Sequence, residues 1–334
     1  MKHGNNKTIR HAAAAIAMAA AMIFTQGLAA KESAASDAYP NRPVTVVVPY
    51  SAGGFTDIMA RLLSKLLSEK WGQPVVVENV VGAGGNLGAS KAARAAPDGY
   101  TLLVSNTATN SINQFIYKKI DFDPVKGFEP VVLIIKTPNA VVVNNEVPAT
   151  SIEELVKLVK ADPGKFNYGS SGVGTTAQLT GALFQDAAGV KLEHIPYKGS
   201  SGVMTALQGN FVQMAFDNSV AWAPLIEAGR VKALAIASLK RSSLMPDVPT
   251  MDEAGFRAFE TSSWFGISAP LGTPKPIIEK LNADINAILR MPEFVEKMKG
   301  GEIVGGTPDE YAKFIEGEAE KWEKAVALSG VEKQ

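Results

Sequence analysis

The sequence predicts an α/β protein built in two lobes, and three observations carry that prediction. Short β-branched runs alternate with segments of helical periodicity along almost the whole chain, the pattern of a largely parallel sheet covered on both faces. Four loops rich in Gly, Ser and Thr follow directly on apolar runs: Pro49–Gly54, Gly82–Asn86, Gly169–Thr176 and Lys198–Gly202. Two extended stretches, Phe128–Val143 and Phe259–Ala269, stand where the chain would cross from one lobe to the other and back. One lobe is then made of two separated segments, an arrangement suited to hinge closure around a cleft.

The elements follow in order. Val44–Val48 is a β-branched strand, and the helix from about Thr56 repeats Ile58, Met59, Leu62, Leu63, Leu66 and Leu67 at the spacing of one buried stripe. Gly72 stops it, Val75–Val77 is the next strand, and Leu87–Ala96 is helical. Pro97-Asp98-Gly99 turns the chain into strand Thr101–Val104. Val131–Ile135 and Ala140–Val143 are extended, with Thr137-Pro138 as an interruption, and Ser151 with Glu154 forms a capping box. The loop Gly169–Thr176 opens a helix through Ala188; Val212–Phe216 and Val231–Ala237 are buried strands. After Trp264–Ala269 the chain turns helical, first over Ile277–Leu289 and then after Thr307-Pro308, an N-cap with proline at the first helical position.

Composition narrows the chemistry. The 334 residues suit about two domains. Lys plus Arg and Asp plus Glu each total 33, which leaves no excess charge to grip nucleic acid. With no cysteine there is no disulfide, thiol nucleophile or zinc–thiolate site. Lys2, Lys7 and Arg10 precede an uncharged apolar run, Ala12–Ala30, with small residues at candidate cleavage points after Ala29 and Ala38. This is the pattern of a secretory signal peptide over residues 1–38, which predicts an exported protein. Its removal takes four bases (Lys2, Lys7, Arg10, Lys31) and two acids (Glu32, Asp37) and leaves a net charge of −2. It also leaves His194 as the sole histidine, so a metal site would have carboxylates alone.

The loops invite three readings. Glycines let backbone N–H groups approach an anion, and the helix start that follows adds partial positive charge. A dinucleotide site fails, because Leu87 stands where Gly82-Ala83-Gly84-Gly85 would need its third glycine and no acid follows the next strand; no cofactor is expected. A serine hydrolase or isomerase using Ser51 and His194 is the rival, although Pro49 replaces the first glycine of a nucleophile elbow. Asp57 either braces the first loop or meets a ligand's amine. Lys198 is the one base in the four loops.

The blocks of the chain resemble a known family. Val46–Val48 with Pro49-Tyr50-Ser51-Ala52-Gly53-Gly54-Phe55-Thr56-Asp57 is similar to the opening motif of the tripartite tricarboxylate transporter solute-binding proteins, the Bug receptors. Gly82-Ala83-Gly84-Gly85, Pro97-Asp98-Gly99-Tyr100, Ser171-Gly172-Val173-Gly174-Thr175, Pro196-Tyr197-Lys198-Gly199 and Pro246-Asp247-Val248-Pro249-Thr250 continue the similarity in order, from about Tyr39 to the end. The resemblance implies a type II periplasmic-binding-protein fold, with residues 39–138 and 263–334 as one lobe and 139–262 as the other. It implies a non-enzymatic receptor that closes on a small organic carboxylate, a dicarboxylate or an aromatic acid, and delivers it to membrane permease subunits. A monomer is expected; a sensor for a membrane kinase is a weaker alternative. The implied ligand contacts are Tyr50, Ser51, Phe55, Thr56, Asp57, Asn106, Thr107, Ser170, Ser171, Thr175, Asp217 and Asn218. The chain departs from the family at Gln178, often histidine there, and at Val81, often polar.

Overall fold

A computed structural model describes residues 39–197 and 199–333; segment 1–38, which is expected to be a signal peptide, and residues Lys198 and Gln334 lie outside the described residues. The first β-branched run forms β1 (Val44–Val48), with helix α1 (Phe55–Trp71) ended by Gly72 at φ +64°. Strand β2 (Val75–Asn79), helix α2 (Asn86–Ala93) and strand β3 (Thr101–Asn106) follow. Beyond β3 a π-helical turn, Ala108–Ile112, runs into a short helix α3 (Asn113–Ile116). Strand β4 (Phe128–Val143) has 16 residues and so spans about 50 Å, enough to serve both lobes.

The second lobe holds α4 (Ile152–Ala161), β5 (Asn167–Ser170), α5 (Thr176–Ala188), β6 (Glu193–Pro196), α6 (Ser200–Gln208), β7 (Met214–Asn218), α7 (Ser219–Glu227) and β8 (Lys232–Ile236). Strand β9 (Ser262–Pro270) returns the chain to α8 (Lys275–Leu289), α9 (Pro292–Lys297), β10 (Glu302–Gly305) and α10 (Pro308–Ser329). The sheet order is β2-β1-β3-β9-β4-β7-β5-β6, with β8 and β10 also on β4. Among the named strands of the described residues, parallel pairing joins β2-β1-β3 and β7-β5-β6, while every pairing made by β4 or β9 is antiparallel. The expectation of a largely parallel sheet therefore holds only inside each lobe, because two strands running in opposite directions join the lobes.

Thr137-Pro138 does not interrupt β4. Pro138 is the last residue paired with β9 and Asn139 the first paired with β7, so the missing proline N–H falls where the strand changes partners. The Ser151 box is only half formed: its side chain accepts from the Glu154 N–H, but the Glu154 carboxylate turns to the N–H and hydroxyl of Thr150. At Thr307 and Glu310 the box is complete.

Each lobe has its own core. One gathers Val46, Leu63, Leu102, Ile134, Ile267 and Leu281; the other packs Val141, Phe184 and Phe216 on one face of its sheet and Val142, Trp222 and Ile236 on the opposite face. A further cluster joins them. Ile112 and Ile116, beyond β3, meet Leu179 of α5 and Trp322, Ala325 and Val326 of α10. The C-terminal helix thus touches both lobes, with Lys324 paired to Asp186 of α5 at 3.0 Å.

Candidate functional site

A cleft of about 440 Å3 opens where the carboxyl ends of the strands of both lobes face each other, the usual ligand position in open α/β sheets. Its first-lobe wall consists of Tyr50 after β1, Gly84 before α2, Asn106, Thr107 and Ala108 at the end of β3, and the turn carrying Ile112, Asn113, Ile116 and Tyr117. Ser171, Val173 to Thr176, Ser200, Asp217 and Asn218 face it from the second lobe, and Ser263 and Phe265 come from β9.

Of the residues named from sequence, Tyr50, Asn106, Thr107, Ser171, Thr175, Asp217 and Asn218 line the cleft; Ser51, Phe55, Thr56, Asp57 and Ser170 do not. The first loop explains most of this division. The Asp57 carboxylate accepts from the Gly53 N–H, Arg61 Nε and Asn79 Nδ2, each at 2.9 Å, which folds the loop back on its own helix. Ser51 is left exposed, Thr56 is buried in the first turn of α1, and Phe55 packs behind the cleft on Phe265 with ring centroids 5.2 Å apart. Phe55 is therefore the backing of the aromatic wall, not its surface.

Several lining side chains are already engaged. Asn106 Oδ1 accepts from Tyr50 Oη at 2.8 Å and from the N–H groups of Ala108 and Thr109, while its Nδ2 donates to Thr109 Oγ1. Burial pushes the Tyr50 hydroxyl above its usual range, so it stays a neutral donor. Thr107 Oγ1 accepts from the Trp264 N–H at 2.7 Å and ties β3 to the crossing strand. Asn218 caps α7 and donates to Thr137 Oγ1 of β4. Thr175 caps α5 and donates to the Gly172 carbonyl. Gln178 accepts from the Gly174 N–H at 2.7 Å, so the residue standing in the family's histidine position holds this loop.

Ser170 is fully buried, and its hydroxyl lies 2.6 Å from His194 Nε2. The His194 ring leans on Tyr168, and burial lowers its pKa. His194 thus pairs inside the second lobe, while Ser51 belongs to the first: the Ser51–His194 couple of the hydrolase reading is not assembled. Among the described residues no group of His, Asp and Glu is placed to hold a metal, and no helix is long and apolar enough to cross a membrane.

Electrostatics favour an anion on the second-lobe side. Thr176, Ser200 and Asn218 stand at the starts of α5, α6 and α7 and all line the cleft. Three helix N-termini therefore present free N–H groups and partial positive charge to one space. Asp217 beside them is pushed up by burial; its Oδ1 accepts from the Asn218 N–H at 2.8 Å, and the Ser200 hydroxyl and the Trp222 indole lie next to its carboxyl.

The comparisons with known proteins agree with this geometry. The family model described as tripartite tricarboxylate transporter family receptor matches residues 59–331. The chain belongs to that family. BugT of Bordetella pertussis is 38% identical to this receptor over 318 residues, covering 94% of this chain and 97% of BugT. Rpa4515 of R. palustris, solved with adipate, superposes with a TM-score of 0.76 at 36% identity over 89% of this chain and all of its own. MatC from Rhodopseudomonas palustris with bound malate gives a TM-score of 0.71 at 33% identity, covering 86% of this receptor and all of MatC.

Sequence reasoning missed the apolar part of the cleft. Ile112, Ile116 and Tyr117 sit at ordinary helical spacing, which reads as core; Ile112 and Ile116 are buried in the cluster shared with α10, and with Tyr117 they also line the cleft. Ser263 and Phe265 went unseen because a crossing strand carries no local ligand signal.

The Asp57 brace has a pH signature. Its hydrogen bond with Arg61 leads in holding the carboxyl down to about 2, against an ordinary value of 3.8. A depressed folded-state pKa adds stability above the unfolded value and loses it as pH falls through the folded one. The expected contribution is about 1–2 kcal/mol at pH 7. Asp57→Asn should therefore unfold at lower urea than the wild type at pH 7, and the gap should narrow as pH falls from about 4 towards 2; a gap independent of pH would contradict the brace.

Proposed function

We propose that this protein is an exported, periplasmic receptor that closes on a small organic carboxylate, a dicarboxylate or an aromatic acid, and hands it to the membrane permease of a tripartite tricarboxylate transporter. In this reading residues 39–138 with 263–334 form one lobe and 139–262 the other, and the protein acts as a monomer without catalysis. One observation carries the reading: three helix N-termini meet in a single cleft between lobes, and such ends hold carboxylate charge without arginine. The adipate and malate bound by its structural relatives support the same ligand class. Tyr50, Ser171, Thr175, Thr176, Ser200 and Asp217 form the binding wall, with Asn106, Thr107 and Asn218 holding it in shape.

Closure excludes water, which strengthens hydrogen bonds to the carboxylate, and the ligand stabilises the closed shape by binding it better than the open one. Calorimetric titration of the mature protein with succinate, adipate, citrate and benzoate should give saturable heat with at least one acid. The same acid at a hundredfold excess over its Kd should stabilise the fold by about 2.7 kcal/mol. Silence across the panel, with no rise in unfolding temperature, would remove the proposal.

A further inference from the structure

The wall that the sequence did not announce holds a tyrosine hydroxyl with nothing to bond. Tyr117 follows α3 and lines the cleft half-buried, and its Oη makes no hydrogen bond among the described residues. Its ring lies against Gly84: a Cβ there would stand 2.7 Å from Tyr117 Oη and 3.3 Å from Cε2 and Cζ. Gly84 at φ +63° is thus required for the approach as well as for the turn. The turn itself is pinned, because Asn113 Nδ2 donates to the Gly84 carbonyl at 3.1 Å and to Asn86 Oδ1 at 2.7 Å.

The second cleft tyrosine differs. Tyr50 Oη spends its proton on Asn106 Oδ1 and offers the cleft only lone pairs. Tyr117 retains a proton to donate. Ile112, Ile116 and Phe265 surround this side of the cleft, so a ligand passing from the helix starts of the second lobe to Tyr117 crosses an apolar band.

We infer that Tyr117 is a specificity-determining residue: its hydroxyl donates to a second oxygen-bearing group of the ligand, so that acids carrying a second carboxylate are preferred over mono-acids of the same chain length. This rests on the carboxylate reading above and adds the residue that selects within that class. Holding one end of the acid from each lobe also ties recognition of the second group to closure.

The test compares matched probes, adipate with hexanoate and succinate with butyrate, by calorimetry on the wild type and on Tyr117→Phe. The wild type should prefer the di-acid in at least one pair. Tyr117→Phe should weaken that di-acid about tenfold or more, the scale of a hydrogen bond to a charged group, and change the mono-acid less than about twofold. Its unfolding midpoint without ligand should match the wild type, since the hydroxyl has no partner among the described residues to lose. An unchanged di-acid affinity in the variant, an equal loss for both members of the pair, or no di-acid preference in the wild type would each overturn the inference while leaving the receptor reading intact. Failure of the wild type to bind any of the four acids would overturn this inference; silence towards citrate and benzoate as well would overturn the carboxylate reading with it.

Discussion

Glu318→Ala is expected to cost roughly 3–5 kcal/mol of stability, the scale of breaking a buried charged contact from one side. Glu318 is 6% exposed on α10, and its Oε2 accepts from the indole N–H groups of Trp264 at 3.0 Å and Trp322 at 2.8 Å. Lys321 completes the shell from one turn along, and its ammonium also reaches the Glu260 carbonyl just before the crossing strand. Both indoles are fully buried, so alanine leaves two donors without water or partner, each worth about 1–3 kcal/mol. Trp264 belongs to the crossing strand, while Trp322 belongs to the cluster shared with Leu179 of the second lobe. The loss should therefore appear as loosening of the C-terminal helix before global unfolding, visible in hydrogen exchange over Ala325 and Val326. Urea unfolding measures the total. Glu318→Gln, which keeps an acceptor oxygen, should lose clearly less, and an alanine variant within about 1 kcal/mol of wild type would refute the clasp.

Gly174→Val should weaken carboxylate binding about ten- to hundredfold while costing the free protein no more stability than a backbone-strain control. Gly174 lies at φ +75° in the second-lobe loop, and an added Cβ would stand 2.5 Å from Ile116 Cδ1 of the first lobe. Relieving an overpacked contact of this kind costs about 1–3 kcal/mol. Here the contact joins two lobes, so the cheapest relief is to hold them apart, which lowers the population able to bind. Gly229→Val is the control for backbone strain: that glycine has φ +65° with nothing within 4 Å of an added Cβ. Both variants should lose comparable stability from the left-handed backbone, about 1–2 kcal/mol, but only Gly174→Val should lose affinity. Equal affinity in the two would mean that the loop does not seat against Ile116.

Strands β1 and β3 and the two halves of β4 were legible because a buried strand needs a run of apolar residues; the continuity of β4 through Thr137-Pro138 was not. The Asp57 brace was legible for a related reason: its partners Gly53 and Arg61 lie within one helical turn. Asn106 and Thr107 were legible as positions at a strand end but not in what they do. Thr107 bonds Trp264, 157 residues away, and Asn106 orients Tyr50 across 56. Phe55 was implied as a ligand contact because Phe265, on which it packs, is likewise remote in sequence.

Short-range physics lies behind what could be known from residues alone: strand runs, capping side chains such as Thr307, glycines at left-handed turns and the ordered blocks that mark the family. These depend on φ/ψ preference and hydrogen bonds a few positions apart, which composition and spacing record directly. Which side chains face the cleft is another matter. Tyr117 lines the cleft because Gly84 has no Cβ to bar its ring, and Glu318 is a clasp because two distant indoles converge on it. Such contacts arise when separate segments pack to exclude water, and packing is a property of the folded whole that no local stretch of chain encodes.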